Sequence, residues 1–276
     1  MVVLPIGVSL RIGVFDSGVG GLTVFSALHD ALPHHDLIYL GDTARVPYGT
    51  RSAETVVRYS CRVASCLAEM NIDALVIACN TATTYALDTL QEAGKTVGIR
   101  VFGVIKSGVE SALANPETKR LAVIGTPGTI AGGIYQNTIQ KRNPSIEVVG
   151  IACPLFVPLA EEGWTQGEVP EKTAEIYLGH LRGNVDTVIL GCTHYPLLTQ
   201  VIQSVLPGVR LVDSAAAIAT RLQSTLPQAT RTHGTRAFYV TDHVRRFESI
   251  GTQFLGWKPD PIQWIDLGPA NPPFTI

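Results

Sequence analysis

The chain has 276 residues, of which 46% are apolar and only 16% charged, against roughly 25% charged in ordinary globular proteins. This composition excludes a disordered chain and suits strands buried on both faces. A formal net charge of −2 supplies no general attraction for nucleic acid or an anionic membrane surface, and neither partner is expected.

In chain order, residues 1–10 are apolar but lack a basic n-region and are interrupted by Pro5 and Gly7, so no signal peptide is expected. The first strand is expected at 11–15. It runs into the turn Asp16-Ser17-Gly18-Val19-Gly20-Gly21 and an amphipathic helix over 22–31. A second strand, 37–40, ends at Gly41-Asp42-Thr43. Ser52 reads as the N-cap of a long helix reaching about Met70, with Thr55 three residues on. The strand 74–78 leads into Cys79-Asn80-Thr81 and a helix to about Ala93. Further strands are expected at 101–104, 121–124, 147–151, 187–190, 209–212, 237–240 and 262–265, with helical patterns between most of them. Such alternation predicts an α/β fold with mostly parallel sheets flanked by helices. Ligands of such sheets gather beyond the carboxyl ends of the strands, where these polar turns lie. No apolar run approaches the ~20 residues that span a bilayer. The Pro-rich end (Pro269, Pro272, Pro273) is expected on the surface.

An internal duplication is visible. Leu75-Val-Ile-Ala-Cys79-Asn-Thr aligns with Val188-Ile-Leu-Gly-Cys192-Thr-His, and Phe15-Asp-Ser-Gly18 has a looser counterpart in Gly125-Thr-Pro-Gly128. Similar separations relate Asp16 to Cys79 and Thr126 to Cys192. Two similar α/β lobes facing one another would produce this pattern, as would chance likeness among strand–turn–helix units. The expected division is a first lobe of 1–102 plus 211–276 and a second of 103–210.

Five cysteines form no secreted disulfide set, which points to free thiols and a reducing cytoplasm. Cys61, Cys66 and Cys153 read as packing residues. Cys79 and Cys192 each follow an apolar strand and precede a helical pattern, near backbone N–H groups and a helix dipole that favour thiolate. A thiolate serves as nucleophile, metal ligand or base. Asn80, Thr81, Thr193, His194, Ser17 and Thr126 supply donors for a small carboxylate-bearing zwitterion, and Asp16 an acceptor for its ammonium. Asp16 also reads as a turn cap, and His194 as a helix-start residue without chemistry. The Gly18–Gly21 turn suits a small anion but is not GxGxxG, and no P-loop pattern occurs. Cys192-Thr-His194 lacks the paired spacing of zinc sites, so no metal is expected.

Taken together, the motifs resemble those of the glutamate racemases of the aspartate/glutamate racemase family. These are Ile12-Gly-Val-Phe-Asp-Ser-Gly-Val-Gly-Gly-Leu22, Gly41-Asp-Thr-Ala-Arg-Val-Pro-Tyr-Gly49, Ala78-Cys-Asn-Thr-Ala82, Cys153-Pro-Leu-Phe-Val-Pro-Leu-Ala-Glu-Glu-Gly163, Gly191-Cys-Thr-His-Tyr-Pro196 and Leu211-Val-Asp-Ser214. They occur in the family's order over about residues 11–250. The resemblance implies two pseudo-twofold-related lobes with the active site between them, and a homodimer. It implies interconversion of L- and D-glutamate without pyridoxal phosphate or metal, supplying D-glutamate for peptidoglycan. Cys79 and Cys192 would stand on opposite faces of Cα, acting on the D- and L-enantiomers respectively. Asp16 would assist Cys79, and His194 and Glu161 would assist Cys192, with Glu162 an alternative to Glu161. Substrate contacts would come from Asp16, Ser17, Pro47, Tyr48, Gly49, Asn80, Thr81, Thr126, Thr193 and His194. Ser107 and Ala216 depart from the family pattern, which puts local helix detail in doubt.

Three other readings compete. The same chemistry on aspartate or another small amino acid differs only in pocket shape. Pyridoxal-phosphate racemisation would need a Schiff-base lysine such as Lys106. A two-lobed binding protein without chemistry would keep the fold and lose the need for both thiols.

Overall fold

The computed structural model describes residues 9–229 and 231–275, so the first eight residues lie outside it. Strands β1 (Arg11–Asp16), β2 (Asp36–Gly41), β3 (Ala74–Ile77) and β4 (Arg100–Gly103) alternate with helices α1 (Leu22–Ala31), α2 (Ala53–Glu69) and α3 (Asn80–Val97). Helix α4 (Val104–Leu113) then leads to β5 (Arg120–Gly125), α5 (Pro127–Gly132), α6 (Ile134–Arg142) and β6 (Glu147–Ala152). There follow α7 (Phe156–Glu161), α8 (Glu168–Leu178), β7 (Thr187–Gly191), α9 (Thr199–Val205), β8 (Arg210–Asp213) and α10 (Ser214–Thr225). The chain ends with β9 (Arg236–Val240), α11 (Val244–Leu255) and β10 (Ile262–Trp264). Every expected strand is present within one residue of its expected bounds.

Two sheets form, β10-β9-β2-β1-β3-β4 and β6-β5-β7-β8, and every strand pairing among the described residues is parallel. The order β2-β1-β3-β4 repeats as β6-β5-β7-β8, so the duplication seen in the motifs is a duplication of topology. The strand before Cys79 corresponds to the strand before Cys192, and the strand ending in Asp16 to the one before Thr126. Strand β8 pairs with β7, so the second sheet extends to Asp213.

Each sheet has a core on either face. Ile12, Val14, Ala74 and Val76 point to one side of the first sheet, and Phe15, Leu75 and Ile77 to the other. In the second sheet Ala122, Ile124, Val188 and Leu190 oppose Leu121, Val123 and Ile189. Burial on both faces explains why the strands read as unbroken apolar runs, because neither side can be polar.

Two helix ends show how local chemistry sets the boundaries. Ser52 caps α2, its hydroxyl accepting from Thr55 N at 3.3 Å. Helix α3 continues four residues beyond the expected Ala93, because Gly94 is an interior residue. A Cβ there would stand 2.6 Å from the Ile99 carbonyl oxygen, so glycine admits the returning chain. The helix stops instead at Gly98, whose left-handed φ of 77° closes the C-terminus.

Candidate active site

The carboxyl ends of the two sheets face one another across a small cleft. Cys79 and Cys192 both line it, each 6% exposed. Around them stand Ser17, Pro47, Tyr48, Gly49, Asn80, Thr81, Thr126, Thr193 and His194, all expected from the sequence. Asp16 is buried behind the cleft, and Glu161 reaches the site through His194. Val46, Thr129, Val157 and Gly191 also line the cleft. Of these, Thr129 is polar, and its position three residues after the α5 N-cap Thr126 is the sequence signal that could have marked it.

The two thiols have different surroundings. Cys79 is the N-cap of the 18-residue α3, and its Sγ accepts from Ala82 N at 3.4 Å. Burial and the neighbouring Asp16 carboxyl nonetheless push the thiol up to about 12, against the Ala82 amide and the Ser17 hydroxyl, which pull it down. Asp16 is itself raised by burial, despite His194 nearby and the backbone amides of Gly18, Gly21 and Ser17. Its Oδ2 accepts from Gly18 N at 2.9 Å, while Oδ1 is buried without a partner.

Cys192 does not sit on a helix start of that kind. A 3₁₀ turn, Tyr195–Leu198, separates it from the short α9, so the expected helix dipole is replaced by an imidazole. His194 Nδ1 lies 3.8 Å from Cys192 Sγ, and Nε2 lies 3.1 Å from Glu161 Oε1. Burial disfavours charge on His194, yet its bonds to Cys192 and Glu161 prevail and raise it to about 10. Burial likewise opposes the Glu161 carboxylate, but His194 and then Arg246 hold it below the usual range. Arg246 stands 3.8 Å from Glu161 Oε2 and 3.2 Å from Glu162 Oε1. Glu161 is therefore the residue that reaches the site, and Glu162 is an exposed surface partner. The Phe254 ring packs edge-on to His194 at 5.5 Å, a contact from α11 with no signal in the motifs.

Close packing between the lobes explains the glycine turn. A Cβ on Gly20 would lie 2.4 Å from both the His194 ring and Thr193 Oγ1. Gly49 meets Thr126 in the same way, at 2.6 Å. Hydroxyls complete the seam. Thr81 Oγ1 lies 2.9 Å from Thr126 Oγ1 and 3.0 Å from Thr129 Oγ1, and Thr23 Oγ1 donates to Thr193 O at 3.0 Å. The Tyr48 hydroxyl donates to buried Asp42 at 2.6 Å. The remaining cysteines are buried, and burial raises all three thiols, Cys61 and Cys66 to about 11. Lys106 is exposed on α4 and does not line the cleft.

A family profile described as Asp/Glu/Hydantoin racemase matches residues 22–222. The chain belongs to this family. It is 48% identical over 252 residues to the glutamate racemase of Aquifex aeolicus (strain VF5), covering 91% of this chain and 96% of that protein. It is 49% identical over 263 residues to the glutamate racemase of Geobacter metallireducens, covering 93% and 96% respectively. Among solved structures, the glutamate racemase of Francisella tularensis in complex with D-glutamate superposes with a TM-score of 0.88 at 37% identity, covering 94% of this chain and 98% of that one. The parallel two-sheet architecture that holds the paired strand-end thiols is thus one shared with a glutamate racemase of known structure.

Proposed function

We propose that this protein interconverts L- and D-glutamate by direct proton transfer at Cα, and that the D-glutamate serves peptidoglycan synthesis. The observation that carries this reading is the pair of buried thiols lining one cleft between two lobes, each with its own acid–base neighbours. Inversion needs a base on one face of Cα and an acid on the other, and two thiols supply both. In the L-to-D direction Cys192, as thiolate, takes the α-proton and becomes a thiol. Cys79 gives its proton to the opposite face and is left as thiolate. The reverse reaction exchanges these roles.

Burial keeps the proton on Cys79, and His194 holds a proton beside Cys192. Glu161 fixes the His194 ring, and Asp16 stands ready to take part in proton exchange with Cys79. Carbanion character in the transition state is stabilised by donors aimed at the substrate carboxylate in a site from which water is excluded. Asn80, Thr81, Thr126 and Thr193, with Ser17 and the 47–49 segment, line the cleft and support this reading as its source of donors. The reaction as written needs neither cofactor nor metal. We further propose a cytoplasmic homodimer; no described helix is long and apolar enough to cross a membrane.

Comparison of kcat/KM for L-glutamate and L-aspartate, using dialysed protein, tests the substrate assignment. A clear preference for glutamate is expected, and a preference for aspartate would overturn it.

A further inference from the structure

Tyr135, on α6 of the second lobe, is fully buried and does not line the cleft. Its hydroxyl donates to Asn80 Oδ1 at 2.7 Å, across the seam between the lobes. Asn80 opens α3 directly after Cys79, is 3% exposed and lines the cleft, and its Nδ2 is buried with no protein partner. An unpaired buried amide donor is costly, so it is retained where a ligand completes it. The tyrosine hydroxyl occupies the oxygen end of this amide. With Oδ1 engaged by an O–H donor, the NH2 group is the end left for the cleft.

The ring that carries this hydroxyl is itself locked. It packs in the core with Ile139, Ile189 and Val212, directly behind the turn bearing Cys192. A Cβ on Gly191 would stand 2.7 Å from the Ile124 carbonyl oxygen and 3.3 Å from both the Tyr135 ring and Val123, so the ring packs close against the residue before Cys192. One side chain therefore backs the Cys192 turn and grips the residue next to Cys79.

We propose that Tyr135 is a positioning residue that fixes the Asn80 amide so that its NH2 group meets a carboxylate oxygen of the amino-acid substrate. This rests on the racemase reading above. The two halves of the site are then set by one interlobe hydrogen bond as well as by packing.

The test is a double-mutant cycle, Tyr135→Phe with Asn80→Ala, measured with L- and D-glutamate. The phenylalanine variant removes one oxygen and keeps the ring. It is expected to raise KM about fivefold to tenfold in both directions, with a smaller fall in kcat, the size of one well-placed hydrogen bond. In the Asn80→Ala background the same change is expected to have no further effect on KM. An unchanged KM for Tyr135→Phe, a fall in kcat alone, or effects that multiply in the double variant would overturn the proposal. Wild-type protein inactive on glutamate would instead overturn the racemase reading, so the two failures are distinct.

Discussion

At the scale of single residues, the two thiols are chemically unlike although their strands are equivalent. Cys79 has a helix cap and a carboxyl beside it, whereas Cys192 has an imidazole tied to Glu161. Each is required for one face of Cα. Replacing either with serine is expected to lower kcat by about 100- to 10,000-fold while leaving the melting temperature nearly unchanged, because general acid–base groups contribute on that scale. Racemisation rates of the two variants, with thermal melts as control, check this, and a near wild-type rate for either contradicts the two-thiol mechanism. His194 gives a second prediction. Its pKa is raised from 6.5 to about 10, so the native state keeps a proton that the unfolded chain gives up near pH 6.5. The stability contributed is complete below about pH 6.5 and is lost as pH rises through about 10. Urea midpoints of wild type and His194→Asn, compared from pH 6 to 10, should converge as pH rises; a constant gap would contradict the assignment.

Among elements, the strands were the most legible part of the chain. Burial on both faces leaves β1, β3, β5 and β7 almost wholly apolar, and the polar residue that ends each run marks the turn. The α2 cap was equally readable, since Ser52 and Thr55 act locally. Ser52→Ala is expected to cost about 1 kcal/mol in stability and leave kcat unaltered, measured by chemical unfolding and assay. The end of α3 and the missing helix start at Cys192 were not legible. Gly94 is shaped by a carbonyl that arrives from Ile99, and Cys192 is served by a glutamate 31 residues upstream in sequence order. Gly20 belongs with these, since its constraint is a side chain of the other lobe. Gly20→Ala is expected to destabilise by about 1–3 kcal/mol through overpacking and to slow the Cys192 side of the reaction. A wild-type melt and rate for this variant would contradict the packing account.

Over the whole molecule, the repeated strand order brings two polar strand ends together, and the site exists only where they meet. Motif order along the chain revealed this, because Asp16, Cys79, Thr126 and Cys192 recur at matching places in the two halves. What it could not reveal are contacts between parts distant in sequence. Phe254 and Arg246 come from α11 to the His194–Glu161 pair, and Tyr135 crosses the seam to Asn80. A cleft sealed by both lobes couples ligand binding to stability. At one hundred times its dissociation constant D-glutamate should stabilise the fold by about 2.7 kcal/mol and raise the melting temperature by several degrees.

The two-thiol account is tested most directly by racemisation in deuterium oxide, starting separately from L- and D-glutamate. Inversion should place solvent deuterium at Cα of the product at a rate equal to that of racemisation, in dialysed protein. Product that keeps its original α-hydrogen, or loss of activity on dialysis that added pyridoxal phosphate restores, would contradict proton transfer by Cys79 and Cys192.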